Sequence, residues 1–185
     1  MKTNRALFVA GGWSGPQPEK IVQIFVRELQ SHGFETHVET SHDCLADTEK
    51  LKAYSVIFPC WTMDTLTPGQ TKGLTDAVHS GVGLAGIHGG MGDAFRGNTN
   101  YEWMVGGHFV GHPHVGDYTV YVKDVSSPIT AGLPASFAYQ SEQYYMVVDP
   151  VVHVLADSRY DHEGRSCTMP VAWTKMWGQG RVFYN

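Results

Sequence analysis

Short apolar runs alternating with helix-periodic segments constrain this chain more than any other feature. Ala6 to Ala10 is an apolar run that closes on Gly11-Gly12, the pattern of a buried first strand and its exit turn. Pro18 suits a first helical position, Ile21, Ile24, Phe25 and Leu29 follow at helical spacing, and Gly33 supplies a stop. Phe34 to Glu39 alternates as a second strand, and Ser55 to Phe58 reads as a third that ends at Pro59. Thr67-Pro68-Gly69-Gln70 has the residues of a capping box with proline in first place, so a helix runs from there to Ser80-Gly81. Leu84 to Ile87 is the fourth strand. Strand, helix, strand, short connection, strand, helix, strand implies a parallel sheet covered by helices, with ligands bound beyond the carboxyl ends of the strands. Three loops lie at those ends, Gly11–Pro16, Cys60–Leu66 and His88–Pro113, and together they frame one crevice.

The third of these loops follows an unusual join. After the fourth strand the chain breaks at His88-Gly89-Gly90, where small residues flank one polar side chain in the manner of a strand-to-helix elbow. Asp93, Arg96, Glu102, Trp103, His108 and His112 follow among closely spaced glycines. Such residues make a poor core and a good site wall. His108 and His112 are four apart, but Gly106, Gly107, Gly111 and Pro113 argue against a continuous helix, so the helical two-histidine zinc argument fails and both sit on a loop. Asn100 is the expected N-cap of a short helix that carries Glu102 in its first turn. The second half is less regular: Tyr118–Val122, Ser141–Tyr145, Val151–Ala156, Met169–Trp173 and Arg181–Tyr184 read as short strands, with a polar turn over Asp161–Arg165.

Composition narrows the function classes. One domain over residues 1–185 is the default for this length. A hydrophobic content of 42% with 17% charged residues excludes disorder, and the net charge of −5 without any basic run argues against a nucleic-acid partner. No apolar stretch is long enough for a membrane span and the N-terminus lacks signal-peptide features, so the expected location is cytoplasmic. Three scattered cysteines, Cys44, Cys60 and Cys167, form neither a disulfide framework nor a zinc motif. Ten histidines, 21 glycines and 12% aromatic residues suit polar, aromatic-lined loops around a small ligand. GGWSG is not GxGxxG, and Glu39, the nearest candidate ribose ligand, lacks the motif context, so no NAD or flavin role is expected.

Several motifs in order, GGW, PCWTMDTLTP, GIHGGMGDAFR, YEWMVGGHFVGHP, SEQYY and MPVAWTKMWGQGRVFYN, resemble the ThuA-like (trehalose-utilisation) family across nearly the whole chain. The resemblance implies a class I glutamine amidotransferase-like (flavodoxin-like) fold, a parallel-sheet three-layer sandwich, and a link to disaccharide use and 3-keto sugars. Two departures stand out. Pro16 occupies the place of a histidine in the family's first loop, and the chain stops at Asn185 where the family runs on, which points to an uncovered sheet edge, truncation or a homo-oligomer.

The elbow holds His88 where amidotransferases hold cysteine, so a glutaminase route has no nucleophile. His88 is instead a candidate metal ligand or acid/base group, against the plainer reading of a hydrogen-bonded histidine in a glycine turn. His112, within the matched motif, is favoured over His108 as its partner, and Glu142 in SEQYY is the candidate carboxylate. His88, His112 and Glu142 would then form either a proton-transfer set or the ligands of a divalent metal such as zinc, polarising a keto oxygen. Trp13 and Trp61 are candidates to stack on a sugar, with core packing as the rival role. Arg96 would anchor a substrate oxygen or pair with Asp93. Of Tyr144 and Tyr145, only one can face the site at strand spacing. The expected function is an enzyme acting on a sugar or 3-keto sugar; a non-catalytic carbohydrate-binding or regulatory module is the alternative.

Overall fold

The computed structural model describes residues 4–185. Its strands are β1 (Arg5–Gly12), β2 (Glu35–Glu39), β3 (Val56–Thr62), β4 (Gly83–Gly86), β5 (Gly107–Val122), β6 (Ser136–Val148), β7 (His153–His162), β8 (Arg165–Trp177) and β9 (Gly180–Tyr184). The helices are α1 (Pro18–Ser31), α2 (Thr48–Leu51), α3 (Pro68–His79), α4 (His88–Gly92) and α5 (Thr99–Val105). All nine strands join one sheet in the order β2-β1-β3-β4-β9-β8-β7-β5-β6.

The parallel three-layer sandwich expected from the sequence is therefore corrected to a mixed sheet. The pairs β1–β2, β1–β3, β3–β4 and β4–β9 are parallel, whereas β9–β8, β8–β7, β7–β5 and β5–β6 are antiparallel. The cause is local. From β5 onward the strands are joined by turns and loops rather than helices, and such connections return the chain antiparallel. Between β7 and β8 the turn is Glu163-Gly164, both with positive φ (49° and 76°), the conformation that keeps the flanking strands twisted together.

Three local readings also change. The His88–Pro113 segment is not one long loop: it forms α4 and α5, and from Gly107 onward it is β5. His108 and His112 are thus strand residues, and register shifts between Phe109, Gly111 and His114 mark the bulges that the glycines and Pro113 permit. Asn98, not Asn100, caps α5, accepting from the Tyr101 amide at 3.2 Å. The third strand runs past Pro59 to Thr62. Its β4 partner reaches only Val56 and Ile57, so the proline lies where that side of the ladder has ended. The Thr67–Gln70 capping box forms as its residues demand.

The parallel half is covered on both faces. Helix α1 lays Val22 and Val26 on Ala6, Phe8, Ala10 and Phe58. On the other face α3, α4 and α5 bury Leu74, Ala77, Val78, Met91 and Met104 with Leu7, Ile57, Leu84 and Trp173. In the antiparallel half a smaller apolar cluster, Val120, Leu155, Ala156 and Ala172 with Phe137 and Phe183, continues the α1 face beyond that helix. Strand β5 pairs β7 only from Val120 to Val122, so the rest of the β5–β6 ribbon leaves the sheet plane. Met146 of β6 meets Met169 of β8 and Gln143 bonds to Ser158 and the Arg159 carbonyl. That folding-over carries Glu142 and Tyr144 to the end of β4. Among the described residues, no helix is long and apolar enough to cross a membrane.

Candidate functional site

The elbow exists. His88 follows β4 directly, opens α4 and has φ of 48°, a left-handed conformation that costs a non-glycine residue roughly 1–3 kcal/mol. Surrounding bonds hold it there. Its amide donates to the Asn185 carbonyl at 2.6 Å, and the Asn185 amide donates to the Gly86 carbonyl at 3.2 Å, so the segment after β9 clamps the turn. Its imidazole packs on the Tyr144 ring at 4.0 Å between centroids, with the Tyr144 hydroxyl 3.1 Å from Nδ1. This approach needs the glycine at 89, since a Cβ there would stand 3.0 Å from that hydroxyl.

The tautomer follows from the contacts. Burial first, then the negative charges of Glu142 and Asp93, raise the Tyr144 pKa, so the phenol keeps its proton. His88 Nδ1 is the phenol's one hydrogen-bond partner among the described side-chain bonds; accepting that proton leaves the imidazole hydrogen on Nε2. Nε2 is shielded from solvent yet lacks a hydrogen-bond partner. The atom it faces is Oε2 of Glu142, 3.6 Å away, beyond hydrogen-bond reach. Oε1 of the same carboxylate lies 3.9 Å from His112 Nε2. All three side chains remain partly exposed, but His88 Nε2 itself is covered, so a ligand meets it only as a neighbouring side chain shifts. The His88 pKa is lowered, chiefly by desolvation and also by His112, against the opposing pull of Glu142 and Asp93.

That shift has a stability consequence. On acidification the unfolded chain takes up the imidazole proton before the folded protein does. The contribution of neutral His88 is full above the unfolded value of 6.5 and declines as pH falls through it toward the lower folded value. Urea unfolding between pH 8 and pH 5 should show wild type losing more stability than His88→Gln below about 6.5, with parallel curves above it. Parallel curves throughout would refute the shift.

The other candidates separate into two groups. His112 lies near the Tyr144 ring at 6.3 Å between centroids, and Phe109 backs both, 4.4 Å from Tyr144 and 5.9 Å from His112. Arg96 joins their edge: it pairs twice with buried Asp93, and its guanidinium lies 5.5 Å from the Phe109 ring. Tyr145 points away and packs on Tyr160, so Tyr144 is the tyrosine that faces the site. His108 is turned aside, 3.5 Å from Glu102. Trp61 takes the packing role: it is buried, its indole N–H donates to Asp64 at 2.9 Å, and its ring fills the space beside Gly11. Trp13 is exposed beyond β1, folded over Gly15, and does not line the cavity at His88.

Two contributors escaped the sequence reading. Phe109 belongs to the site once His108–His112 is read as a bulged strand, and a period-two reading was the available signal. The Asn185 carbonyl is a backbone group, for which side-chain patterns hold no signal. No cysteine stands at the elbow. Buried Cys60 lies within β3, where desolvation raises its thiol pKa to about 11, so the nucleophilic thiolate is scarce. For a metal, two imidazoles and one carboxylate are suitable donors, but the nitrogens approach different oxygens of Glu142. Among the described residues no group of three or more His, Cys, Asp or Glu side chains is arranged to hold an ion.

His88, Glu142, Tyr144 and Asn185 line one side of a cavity of about 340 Å³. Its depth is apolar, with Leu155, Ala156 and Ala172 buried at the floor.

The fold is shared with a putative ThuA-like protein from Bacteroides uniformis ATCC 8492, at a TM-score of 0.79 and 20% identity, covering 98% of this chain and 80% of that one. A second putative ThuA-like protein, from Parabacteroides merdae ATCC 43184, matches at a TM-score of 0.78 and 16% identity, covering 100% and 79%. A cytoplasmic protein from Salmonella typhimurium LT2 follows at 0.64 and 14%, covering 97% and 86%. No curated protein sequence matches the chain. The family model described as ThuA, trehalose utilisation, matches residues 5–185, and the chain belongs to that family.

Proposed function

We propose that this protein is an enzyme acting on a sugar that carries a carbonyl group, such as a 3-keto sugar, by moving a proton at the carbon beside that carbonyl. The observation that carries the reading is the unpartnered, shielded Nε2 of His88 facing the Glu142 carboxylate 3.6 Å away. An orphaned polar atom beside a base, at the wall of a cavity, has the place of a group whose partner arrives with the substrate. Glu142 takes the proton from carbon, and the C–H electron pair becomes the carbon–carbon double bond of an enediolate. The carbonyl π electrons move onto oxygen, which the neutral His88 Nε2–H stabilises. In isomerisation the proton of the neighbouring hydroxyl passes to that oxygen and Glu142 returns its proton to the former carbonyl carbon, so the carbonyl moves one carbon along. In elimination the carbonyl re-forms and the double bond shifts to the carbon on the other side of the deprotonated one. The substituent there leaves with its bonding pair and takes the proton from Glu142. A neutral imidazole suits this role, since its lowered pKa resists protonation and matches a donor working beside a carboxylate base. Tyr144 fixes the tautomer, and His112 flanks the carboxylate. The carbohydrate class rests on the family description, and a cytoplasmic location on the description of the Salmonella neighbour.

The test is solvent exchange. 3-Ketoglucose and its methyl glycoside, incubated with untagged protein in D2O, should gain deuterium beside the carbonyl, seen by proton NMR. The metal content of the same sample, and exchange after chelation, would report whether a divalent ion also takes part. Binding without exchange or product would replace catalysis with the carbohydrate-binding module. Neither binding nor exchange would end the sugar reading.

A further inference from the structure

The cavity beside His88 and Glu142 is larger and more apolar than a monosaccharide requires. Its polar side is occupied by the groups already described. Beyond them most of the lining is aliphatic and aromatic, with Val120, Phe137, Leu155, Ala156, Ala172 and Phe183 its apolar part. These residues are the apolar cluster of the antiparallel half, on the sheet face that α1 leaves open beyond β3. Thr130 also lines the cavity, but its hydroxyl already bonds to the Asp124 and Ser127 carbonyls. Tyr118, Tyr139 and Ser141 bring hydroxyls to the lining, but Leu155, Ala156 and Ala172 offer none. A second sugar ring seated against those three would bury the hydroxyls facing them without partners, each at a cost of roughly 1–3 kcal/mol. An apolar ring would gain by the same burial.

We infer that this cavity takes the aglycone of the substrate, and that the substrate class is a glycoside whose leaving or retained group is aromatic. The sugar lies at the polar wall against His88, Glu142 and Tyr144, and the aryl group enters the floor over Leu155, Ala156 and Ala172. Dimensions support the fit: about 340 Å³ falls within the range of small-ligand pockets and exceeds one phenyl ring. The rim is formed by partly exposed Ile129, Leu133 and Tyr139, whose removal from water on binding adds apolar contact. The inference deepens the proposed sugar chemistry and rests on it for the identity of the polar end.

Calorimetric titration of wild type with phenyl and methyl β-glucosides tests it without requiring turnover. The phenyl glycoside should bind roughly tenfold to a hundredfold more tightly, the gain expected for burying one aromatic ring. Ala172→Phe, which fills the floor, should bring the two affinities together. Ile129→Asp is a second variant at an exposed rim position where folding is not at stake, and it should reduce the phenyl preference by several-fold. Equal affinities in wild type, no binding of the phenyl glycoside, or a preference unchanged in both variants would each overturn the inference. A phenyl preference in a protein that gives no solvent exchange would leave the aglycone cavity standing and sink the proton-transfer reading alone.

Discussion

Replacing Glu142 with glutamine is expected to lower kcat/KM on a keto sugar by roughly 10²–10⁴-fold, the usual contribution of a positioned general base. At 1.36 kcal/mol per factor of ten, that is about 3–5 kcal/mol of transition-state stabilisation. Glutamine keeps the length and polarity of the side chain and removes only the charge and the basic oxygen. Because the carboxylate is partly exposed and makes no hydrogen bond within the protein's described side-chain network, folding should be unaffected. KM should change little, so the loss falls on kcat. His88 should stay neutral: Glu142 is the largest influence raising its pKa, and removing that charge moves it further down. Single-turnover rates on wild type, E142Q, H88A and the double variant would check the assignment. If the two side chains act as one unit, the double variant loses little more than the worse single one. A loss below fivefold in E142Q, with substrate still bound, would remove Glu142 from the base role.

The second large effect is on stability. Trp173→Ala should cost about 3–5 kcal/mol, measured by urea unfolding, because it empties a fully buried indole from the centre of the main core. Trp173 is 0% exposed, stacks on Tyr184 at 4.2 Å, and donates its indole N–H to the Val105 carbonyl at 2.9 Å. It therefore ties β8 to β9 and to the end of α5. Trp173→Phe separates the contributions: most of the volume stays, but the Val105 carbonyl loses its partner, at about 1–3 kcal/mol. Since Tyr184 precedes the residue whose carbonyl holds the His88 amide, the alanine variant should also loosen the elbow. Protection of the His88 amide from hydrogen exchange should fall in step with the lost stability. An alanine variant within 1 kcal/mol of wild type would mean that the core repacks around the gap.

These effects differ in how far the sequence announces them. The elbow was legible because its cause is local: small residues on each side of one polar residue, directly after an apolar run, demand a sharp turn. The Thr67 capping box was legible for the same reason. The parallel half could be read because helix and strand periods alternate within short windows. In the antiparallel half short strands could be placed within β5 to β9, but not their full lengths or their pairing. Its pairings are made by long strands whose glycines, bulges and Pro113 resemble loop chemistry until a partner strand is beside them. His108 and His112 look equivalent in the sequence, yet the bulges turn one toward Glu102 and the other toward Glu142. Trp13 and Trp61 each come shortly after an apolar run in the sequence, yet one is exposed and the other, within β3, fills the space beside Gly11.

What the sequence by itself determined was the local conformation of β1 to β4 with α1 and α3, the identity of the elbow residue and the absence of a thiol there. Each depends on neighbours along the chain, whose steric and hydrogen-bonding preferences act without tertiary help. Only the tertiary structure decided that Tyr144, 56 residues from His88, sets its tautomer, and that Glu142 faces its free nitrogen. That meeting depends on the β5–β6 ribbon folding back over the sheet. Its position comes from packing between distant apolar surfaces, a quantity that no short window of sequence contains.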